Sequence, residues 1–253
     1  MSIIGGMIKA MFEISSLNDV QSFAASGLRM PRGLIVKSQN RKTPPRPQKL
    51  LELYEFEVCP FCRKVREEMT ELDLAYINRT CGKGASQNRE EVKRRGGKLQ
   101  FPYLVDPNTG TELYESEDII TYLAETYGPG RKFLGPAVSP INTAFAMAAS
   151  AIRPRGRRVR PGLENRQQPE EILVLYNLEA SPYCRKVRET LNELNLDYQV
   201  ENVGKFSARR PELVDRGGKM MIPYLIDPNT GTEMYESDDI IDYLEATYGV
   251  DSA

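Results

Sequence analysis

The sequence contains no histidine and no tryptophan, and it has only four cysteines in 253 residues. Without histidine the chain lacks the commonest metal ligand and the commonest general base, and a Cys–His nucleophilic pair is excluded. The low cysteine content does not fit a disulfide-stabilised secreted scaffold, so we expect a reducing compartment. Activation of any cysteine must then come from backbone dipoles and from Lys or Arg side chains.

Long apolar runs and a strong net charge are also missing. No run reaches the roughly 18 apolar residues that would predict a membrane-spanning helix. The net charge is −1, so overall charge points to no class of partner. The N-terminal stretch carries Lys9 inside a short apolar segment and lacks a small-residue cleavage site, which argues against a secretory signal.

An internal repeat dominates the chain. The segment LELYEFEVCPFCRKVREEMTELDLAY from Leu51 recurs as LVLYNLEASPYCRKVRETLNELNLDY from Leu173. A second block, from Arg95, recurs from Arg216. Upstream, SSLNDVQSFAASGLRMPRG aligns weakly with SPINTAFAMAASAIRPRG, which indicates a repeated helical arm, with chance similarity of Ala/Ser-rich segments as the alternative.

The repeat divides the chain into four parts. Residues 1–49 form an arm and basic linker, and residues 50–130 form the first core, with its CPFC motif. Residues 131–170 form a second arm and Arg-rich linker, and residues 171–253 form the second core, with SPYC in place of CPFC. No aromatic residues alternate with the arginines of the linkers, so we expect solvated linkers lying across the acidic core surface rather than nucleic-acid binding.

Each core has the residue pattern of a βαβαββα unit. Apolar and polar residues alternate from Leu51 to Glu57, and Pro60 then suits the first turn of a helix. The sequence Pro107-Asn108-Thr109-Gly110 predicts a hairpin turn, and Ser116 is a suitable cap for the last helix. The prediction is an α/β fold of two tandem thioredoxin-like domains, each preceded by a short helical arm and a basic linker.

The CPFC motif of the first core lies where a strand ends and a helix begins. There the free backbone N–H groups and the helix dipole favour an anion, and nearby Arg and Lys side chains add positive potential. A pKa lowered from ~8.5 toward 7 gives a large thiolate fraction at neutral pH. Cys59, nearest the helix start, is the predicted nucleophile and Cys62 the resolving thiol. Zinc binding is the alternative use of such a motif, but without histidine we predict no metal site.

Two further positions of the first core suit a peptide-like ligand. Phe101-Pro102 opens a strand where a cis X-Pro bond would turn the Phe101 backbone toward solvent. At the start of the last helix, Ser116 can bind a carboxylate and Glu115 can pair with an ammonium group. A carboxylate and an ammonium on one carbon form the γ-glutamyl end of glutathione. A purely architectural role, as strand start and helix cap, is the alternative.

With these motifs the sequence resembles glutaredoxins and the glutathione-binding N-terminal domain of omega-class glutathione transferases. It is also similar to tandem proteins of this kind in cyanobacteria and plastids. The resemblance implies glutathione as co-substrate, mixed disulfides on Cys59, the glutathione cysteine held at Phe101 and Pro102, and the γ-glutamyl group held by Glu115 and Ser116. It also implies that a glutathione-supported iron–sulfur cluster on Cys59 is an alternative. The predicted location is the cytoplasm, with the plastid stroma as alternative.

The chain departs from these families at two points. Gln100-Phe101 replaces the Thr-Val that usually precedes the proline in glutaredoxins, and no all-helical domain follows either core. The second core has Ser181 at the nucleophile position and keeps Cys184. It also retains a proline and a Glu-Ser pair, as Ile222, Pro223, Glu236 and Ser237. It is therefore either a second glutathione cradle, in which Ser181 donates to the thiolate, or a structural partner with a degenerate site.

Three functions follow as hypotheses. The first is a glutathione- or thiol-dependent disulfide oxidoreductase that works through Cys59 and Cys62. The second is a binding or assembly module that uses the paired thioredoxin-like faces and the basic arms to hold a disulfide-bearing or other protein. The third is glutathione transfer through Ser181.

Overall fold

The computed structural model describes residues 17–37, 40, 46–130 and 137–250. The N-terminal stretch with Lys9, parts of the first predicted linker and residues 131–136 ahead of the second arm lie outside the described residues. The elements of the first half are α1 (Leu17–Gly27), β1 (Leu51–Glu55), α2 (Pro60–Glu71), β2 (Tyr76–Thr80), α3 (Gln87–Gly96), β3 (Tyr103–Asp106), β4 (Thr111–Leu113) and α4 (Ser116–Tyr127). Those of the second half are α5 (Pro140–Ile152), β5 (Leu173–Asn177), α6 (Pro182–Glu193), β6 (Tyr198–Asn202), α7 (Arg210–Gly217), β7 (Tyr224–Asp227), β8 (Thr232–Tyr235) and α8 (Ser237–Tyr248).

Each core has the predicted βαβαββα order. Strand β1 pairs in parallel with β2 and antiparallel with β3, and β3 pairs with β4 through the predicted hairpin. The alternation in β1 places Leu51 and Leu53 in the main apolar core and turns Tyr54 toward the other face of the sheet. The second core repeats these pairings in β5 to β8. The prediction of two tandem thioredoxin-like units is confirmed.

The two cores share one sheet. Strands β2 and β6 pair antiparallel, with Ile77 opposite Gln199, which gives the strand order β4-β3-β1-β2-β6-β5-β7-β8. One apolar cluster also spans both halves, so that Val65 and Met69 of α2 belong to the same cluster as Val187 and Leu191 of α6. Pairing the two β2-type strands removes two exposed sheet edges, which would otherwise be open to association with other chains.

Reciprocal ion pairs link the two cores where α2 and α6 meet. Arg66 Nε lies 3.0 Å from Glu179 Oε2, and Arg188 Nε lies 3.0 Å from Glu57 Oε2. All four side chains are almost completely buried. Each residue of one pair occupies the repeat-equivalent position of a residue in the other, so the ion pairs follow the internal repeat.

The arm helices cross between the cores. Helix α1 of the first arm packs on α6 of the second core, where Ser22 Oγ donates to Pro182 O at 2.7 Å. Helix α5 of the second arm packs on α2 of the first core, where Lys64 Nζ donates to Thr143 Oγ1 at 2.8 Å. Each arm therefore covers the beginning of the helix that follows the CPFC or SPYC motif of the other half.

The expectation of solvated linkers is wrong for their first residues. Arg29 is 3% exposed and Arg153 is 1% exposed. Arg29 Nε donates to Glu67 Oε1 at 2.7 Å, and Arg153 Nε donates to Glu189 Oε1 at 2.6 Å. Both arginines are enclosed because the crossing arm helices contact them: Arg29 Nη1 donates to Asn142 O at 2.8 Å, and Arg153 Nη1 donates to Asn18 O at 2.7 Å.

The N-cap of the last helix of the first core lies one residue earlier than predicted. Glu115 occupies the N-cap position, and Ser116 is the first helical residue. The Ser116 hydroxyl donates to Glu117 Oε2 at 2.7 Å instead of capping the backbone. In the parts of the chain that the structure describes, no helix combines the length and apolar character needed to cross a membrane.

Candidate functional site

Cys59 occupies the N-cap position of α2. Its backbone is extended, with φ −62° and ψ 120°, and Pro60 takes the first helical position, where its missing N–H breaks no hydrogen bond. The backbone N–H of Cys62 donates to Cys59 Sγ at 3.3 Å. The sulfur therefore receives one of the free N–H groups of the first helical turn, in the place of a capping oxygen.

The two thiols of the motif have opposite pKa shifts. Burial on its own would raise the pKa of the Cys59 thiol, but hydrogen bonds from the Cys62 thiol and from the Cys62 backbone outweigh it and lower that pKa below its ordinary value. Burial and the same contact with Cys59 raise the pKa of the Cys62 thiol well above its ordinary value. Of the two thiols, Cys59 is therefore the more readily ionised, and Cys62 is the one that holds its proton more tightly.

A cleft of about 450 Å³ opens beside Cys59. Its aromatic side is formed by Phe56, Phe61 and Phe101, with the Phe56 and Phe101 rings edge to face at 5.9 Å. Its basic side is formed by Lys83, Arg89 and Arg157, and Leu99, Gln100 and Pro60 complete the lining. Cys59 itself is only 4% exposed, while Cys62 is fully buried beneath it.

The other predicted ligand positions of the first core adjoin this cleft through Gln100. Gln100 lines the cleft, and its Nε2 donates to Glu115 Oε1 at 2.5 Å. The peptide between Phe101 and Pro102 is cis. Glu115 has φ +62°, in the left-handed region that non-glycine residues rarely adopt, so its backbone conformation carries strain. Ser116 is buried, with its hydroxyl turned toward Glu117.

The second core has the same backbone and a different environment. Ser181 is the N-cap of α6 and accepts from the Cys184 backbone N–H at 3.3 Å. Cys184 is fully buried, and burial raises its pKa. Met30 and Leu34 of the first linker pack against the cluster that contains Cys184, as does Ile222. Apolar linker side chains therefore cover the region that corresponds to the Cys59 cleft.

The remaining positions of the second core match their counterparts. The peptide between Ile222 and Pro223 is cis, and Glu236 has φ +66°, close to the value at Glu115. Glu236 is the N-cap of α8, and Ser237, its first helical residue, is buried. The backbone of the predicted cradle is thus present twice, whereas the side chains that surround it differ.

The model of the glutathione S-transferase N-terminal domain matches the chain twice, over residues 53–132 and 175–252. The two matches together cover more than half of the chain. The protein belongs to this family. Its membership indicates a glutathione-related function, and both transferase-type units are present in tandem, as the sequence predicted.

A search of curated proteins finds no match. Among solved structures, the chain is similar to the trimeric glutathione transferase TDR1 of Leishmania, with 15% sequence identity and a TM-score of 0.28. That similarity covers 78% of this chain and 68% of the Leishmania chain.

The basic side of the cleft could not be predicted from the sequence. Lys83 follows β2, Arg89 lies in α3, and Arg157 comes from the second linker, so no local motif unites them. One signal was available, because Arg157 of the second linker stands where the first linker has Leu34 in the repeat alignment. Cys81 is fully buried, and burial raises its pKa well above the ordinary value.

Proposed function

We propose that the protein is a glutathione- or thiol-dependent disulfide oxidoreductase that acts through Cys59. The observation that carries this proposal is the position of the Cys59 sulfur. It caps α2, accepts the Cys62 N–H and lines an open cleft. A low-pKa thiol at a helix start, with a second thiol one turn further along, is the arrangement of dithiol oxidoreductases.

The reaction follows from the two thiols. The Cys59 thiolate attacks one sulfur of oxidised glutathione, which forms a mixed disulfide and releases the other glutathione as a thiolate. Cys62 then loses its proton and attacks Cys59 Sγ, which gives the Cys59–Cys62 disulfide and releases the second glutathione. In the reducing direction, glutathione thiolates reverse both steps. We expect the Phe101 backbone to align the glutathione cysteine and the Glu115–Ser116 turn to take its γ-glutamyl end.

The test is glutathione-dependent reduction of a small mixed disulfide, measured by the consumption of glutathione. Cys59→Ser should abolish the activity, because no other thiol lines the cleft among the described residues. Cys81→Ser is the matched control, since this thiol is buried away from the reaction. Full activity in Cys59→Ser would overturn the proposal.

A second candidate function is protein assembly, and one observation favours it. Helix α5 turns Asn142, Ala146 and Ala149 inward and leaves Ile141 and Phe145 exposed. Large apolar side chains on the exposed face of a helix, with small and polar ones buried, are typical of a surface that another protein covers. If the partner is a second copy, Phe145→Ser should lower the sedimentation coefficient at high concentration, and a monomer at all concentrations would exclude self-assembly.

We propose no reaction at Ser181. Met30 and Leu34 of the first linker pack against the apolar cluster of Cys184 beside it. Transfer chemistry in the second core would first require the first linker to move away.

A further inference from the structure

The basic side of the Cys59 cleft is not neutralised by the protein. Arg89 Nη1 donates to the backbone oxygen of Cys81 at 2.9 Å, and its guanidinium lies 5.1 Å from the centre of the Phe101 ring. Lys83 and Arg157 are both exposed. Within the described ranges none of the three forms an ion pair with a carboxylate. Three uncompensated cations in one cleft favour a ligand with more than one negative charge.

The position of Arg157 is fixed by the backbone around it. The Lys83 N–H donates to Arg157 O at 2.8 Å, and the Val159 N–H donates to Lys83 O at 3.1 Å. Val159 is buried in the main apolar cluster, and Asn192 Nδ2 donates to Gly156 O at 3.0 Å. The linker is therefore held on both sides of Arg157, which places this side chain at the cleft.

The first linker makes the same backbone contacts with a different side chain. The Lys205 N–H donates to Leu34 O at 2.8 Å, and the Val36 N–H donates to Lys205 O at 3.0 Å. Leu34 is therefore the structural counterpart of Arg157. At the second core this position adds an apolar side chain to the Cys184 cluster, whereas at the first core it adds a cation to an open cleft. The first linker therefore covers the site of the second core, and the second linker adds positive charge to the cleft of the first core.

The number of cations in the cleft indicates which class of disulfide substrate it suits. Of the two carboxylates of one glutathione, the proposed function assigns the γ-glutamyl one to the Glu115–Ser116 turn, which leaves one for three cations. We propose, building on the proposed oxidoreductase function, that the cleft selects disulfides of acidic peptides and that Arg157 is a specificity-determining residue. The carboxylates beside the substrate cysteine pair with Lys83, Arg89 and Arg157 while Cys59 attacks its sulfur.

The test uses two cysteine peptides, each activated as a 2-thiopyridyl disulfide. One carries Asp and Glu on both sides of the cysteine, and the other carries Asn and Gln at the same positions. The Cys59 thiolate attacks the peptide sulfur, a Cys59–peptide disulfide forms, and thiopyridone is released and measured by its absorbance. The readout is the ratio of the two second-order rate constants within each protein, so any change in Cys59 reactivity itself cancels.

The wild type should favour the acidic peptide, and Arg157→Ala should reduce the ratio about fivefold, the equivalent of roughly 1 kcal/mol for one charge contact. Arg158→Ala is the matched control, because this neighbouring arginine is exposed and does not line the cleft. Its ratio should equal that of the wild type. Equal rates for both peptides in the wild type, or an unchanged ratio in Arg157→Ala, would overturn the inference.

The neutral reagent 2,2′-dithiodipyridine separates this inference from the function on which it rests. If wild-type Cys59 reacts with the reagent but does not discriminate between the peptides, the specificity proposal fails and the oxidoreductase proposal stands. If Cys59 reacts with neither the reagent nor the peptides, the proposed function itself fails.

Discussion

Arg66 of the first core holds Glu179 of the second in a two-point contact, with Arg66 Nε 3.0 Å from Glu179 Oε2 and Arg66 Nη2 3.3 Å from Glu179 Oε1. Glu179 Oε2 also lies 3.0 Å from Arg188 Nη2. One carboxylate therefore compensates two buried guanidinium groups from two different cores. Without it, Arg66 keeps Glu55 and Arg188 keeps Glu57, but this buried cluster loses one of its negative charges, which is far more costly than losing an exposed ion pair.

We therefore expect Glu179→Ala to lower the free energy of unfolding by about 3–5 kcal/mol. The matched control is Glu233→Ala, since the pair that Glu233 forms with Arg216 is exposed and should contribute less than about 1 kcal/mol. Urea unfolding followed by circular dichroism measures both. A loss in Glu179→Ala no larger than in the control would show that this contact does not hold the cores together.

The order of elements within each core could be predicted from the sequence, because local signals determine it. Alternation marks β1, Pro60 marks the start of α2, and the repeat shows the same order twice. The contacts between the cores could not be predicted. Tyr76 and Ile77 are typical of a strand whether its edge is free or paired, and nothing local to β2 indicates pairing with β6.

In the candidate site, too, local features could be predicted from the sequence and contacts between distant segments could not. Cys59 and Cys62 could be assigned because a helix start acts on a thiol through neighbouring backbone groups. Arg157 could not be assigned, because it stands 74 residues after Lys83 in the sequence. It reaches the cleft because the linker that carries it forms backbone hydrogen bonds with Lys83. The burial of Arg29 was missed for a related reason, because the helix that helps to enclose it belongs to the other arm.

Alkylation of Cys59 should be half-maximal at a pH below the ordinary range for a cysteine. Its rate rises with pH as the thiolate forms and levels off above the pKa, which is lowered by the Cys62 thiol and N–H. In Cys62→Ala the thiol donor is lost and the N–H remains, so the midpoint should move to higher pH. Iodoacetamide labelling with peptide mapping measures the profile, and a midpoint unaffected by Cys62→Ala would contradict this account of the thiolate.

Glu71 should make the fold less stable as the pH rises. Burial, assisted by Glu68, raises its pKa from 4.5 to about 7 despite the opposing effect of Arg32. Because the folded state holds this proton more tightly, the associated stability is fully present below pH 4.5 and is lost as the pH rises through 7. At about 1.4 kcal/mol for each pH unit between the two values, the loss is about 3 kcal/mol.

Glu71→Gln tests this pH dependence. The amide keeps an acceptor for the Gly33 N–H, which donates to Glu71 Oε1 at 2.9 Å, and it cannot ionise. Between about pH 5 and pH 8 the unfolding free energy of Glu71→Gln should change less than that of the wild type. The difference between the two proteins over this range should not exceed roughly 3 kcal/mol, which is set by the ordinary and the folded-state pKa of Glu71. Asp242→Asn, at an exposed position of α8, controls for the loss of one charge. Parallel curves for the wild type and Glu71→Gln would contradict the raised pKa.

Leu34→Ala should expose the thiol of the second core. Leu34 packs against the cluster of Leu178, Ala180 and Cys184, so its truncation opens a path to a sulfur that is fully buried in the wild type. Labelling of Cys184 under native conditions should become faster than in the wild type. Leu163→Ala, a truncation in the main apolar cluster, controls for general loosening. Equal labelling of Cys184 in the two variants would show that Leu34 does not cover it.

The most direct test of the central claim is to incubate the reduced protein with oxidised glutathione and to map the modified cysteines by mass spectrometry. The account predicts a Cys59–Cys62 disulfide in the wild type and a stable glutathione adduct on Cys59 in Cys62→Ser, with Cys81 and Cys184 unmodified. The absence of any adduct or disulfide at Cys59, or faster modification of Cys81 or Cys184, would contradict it.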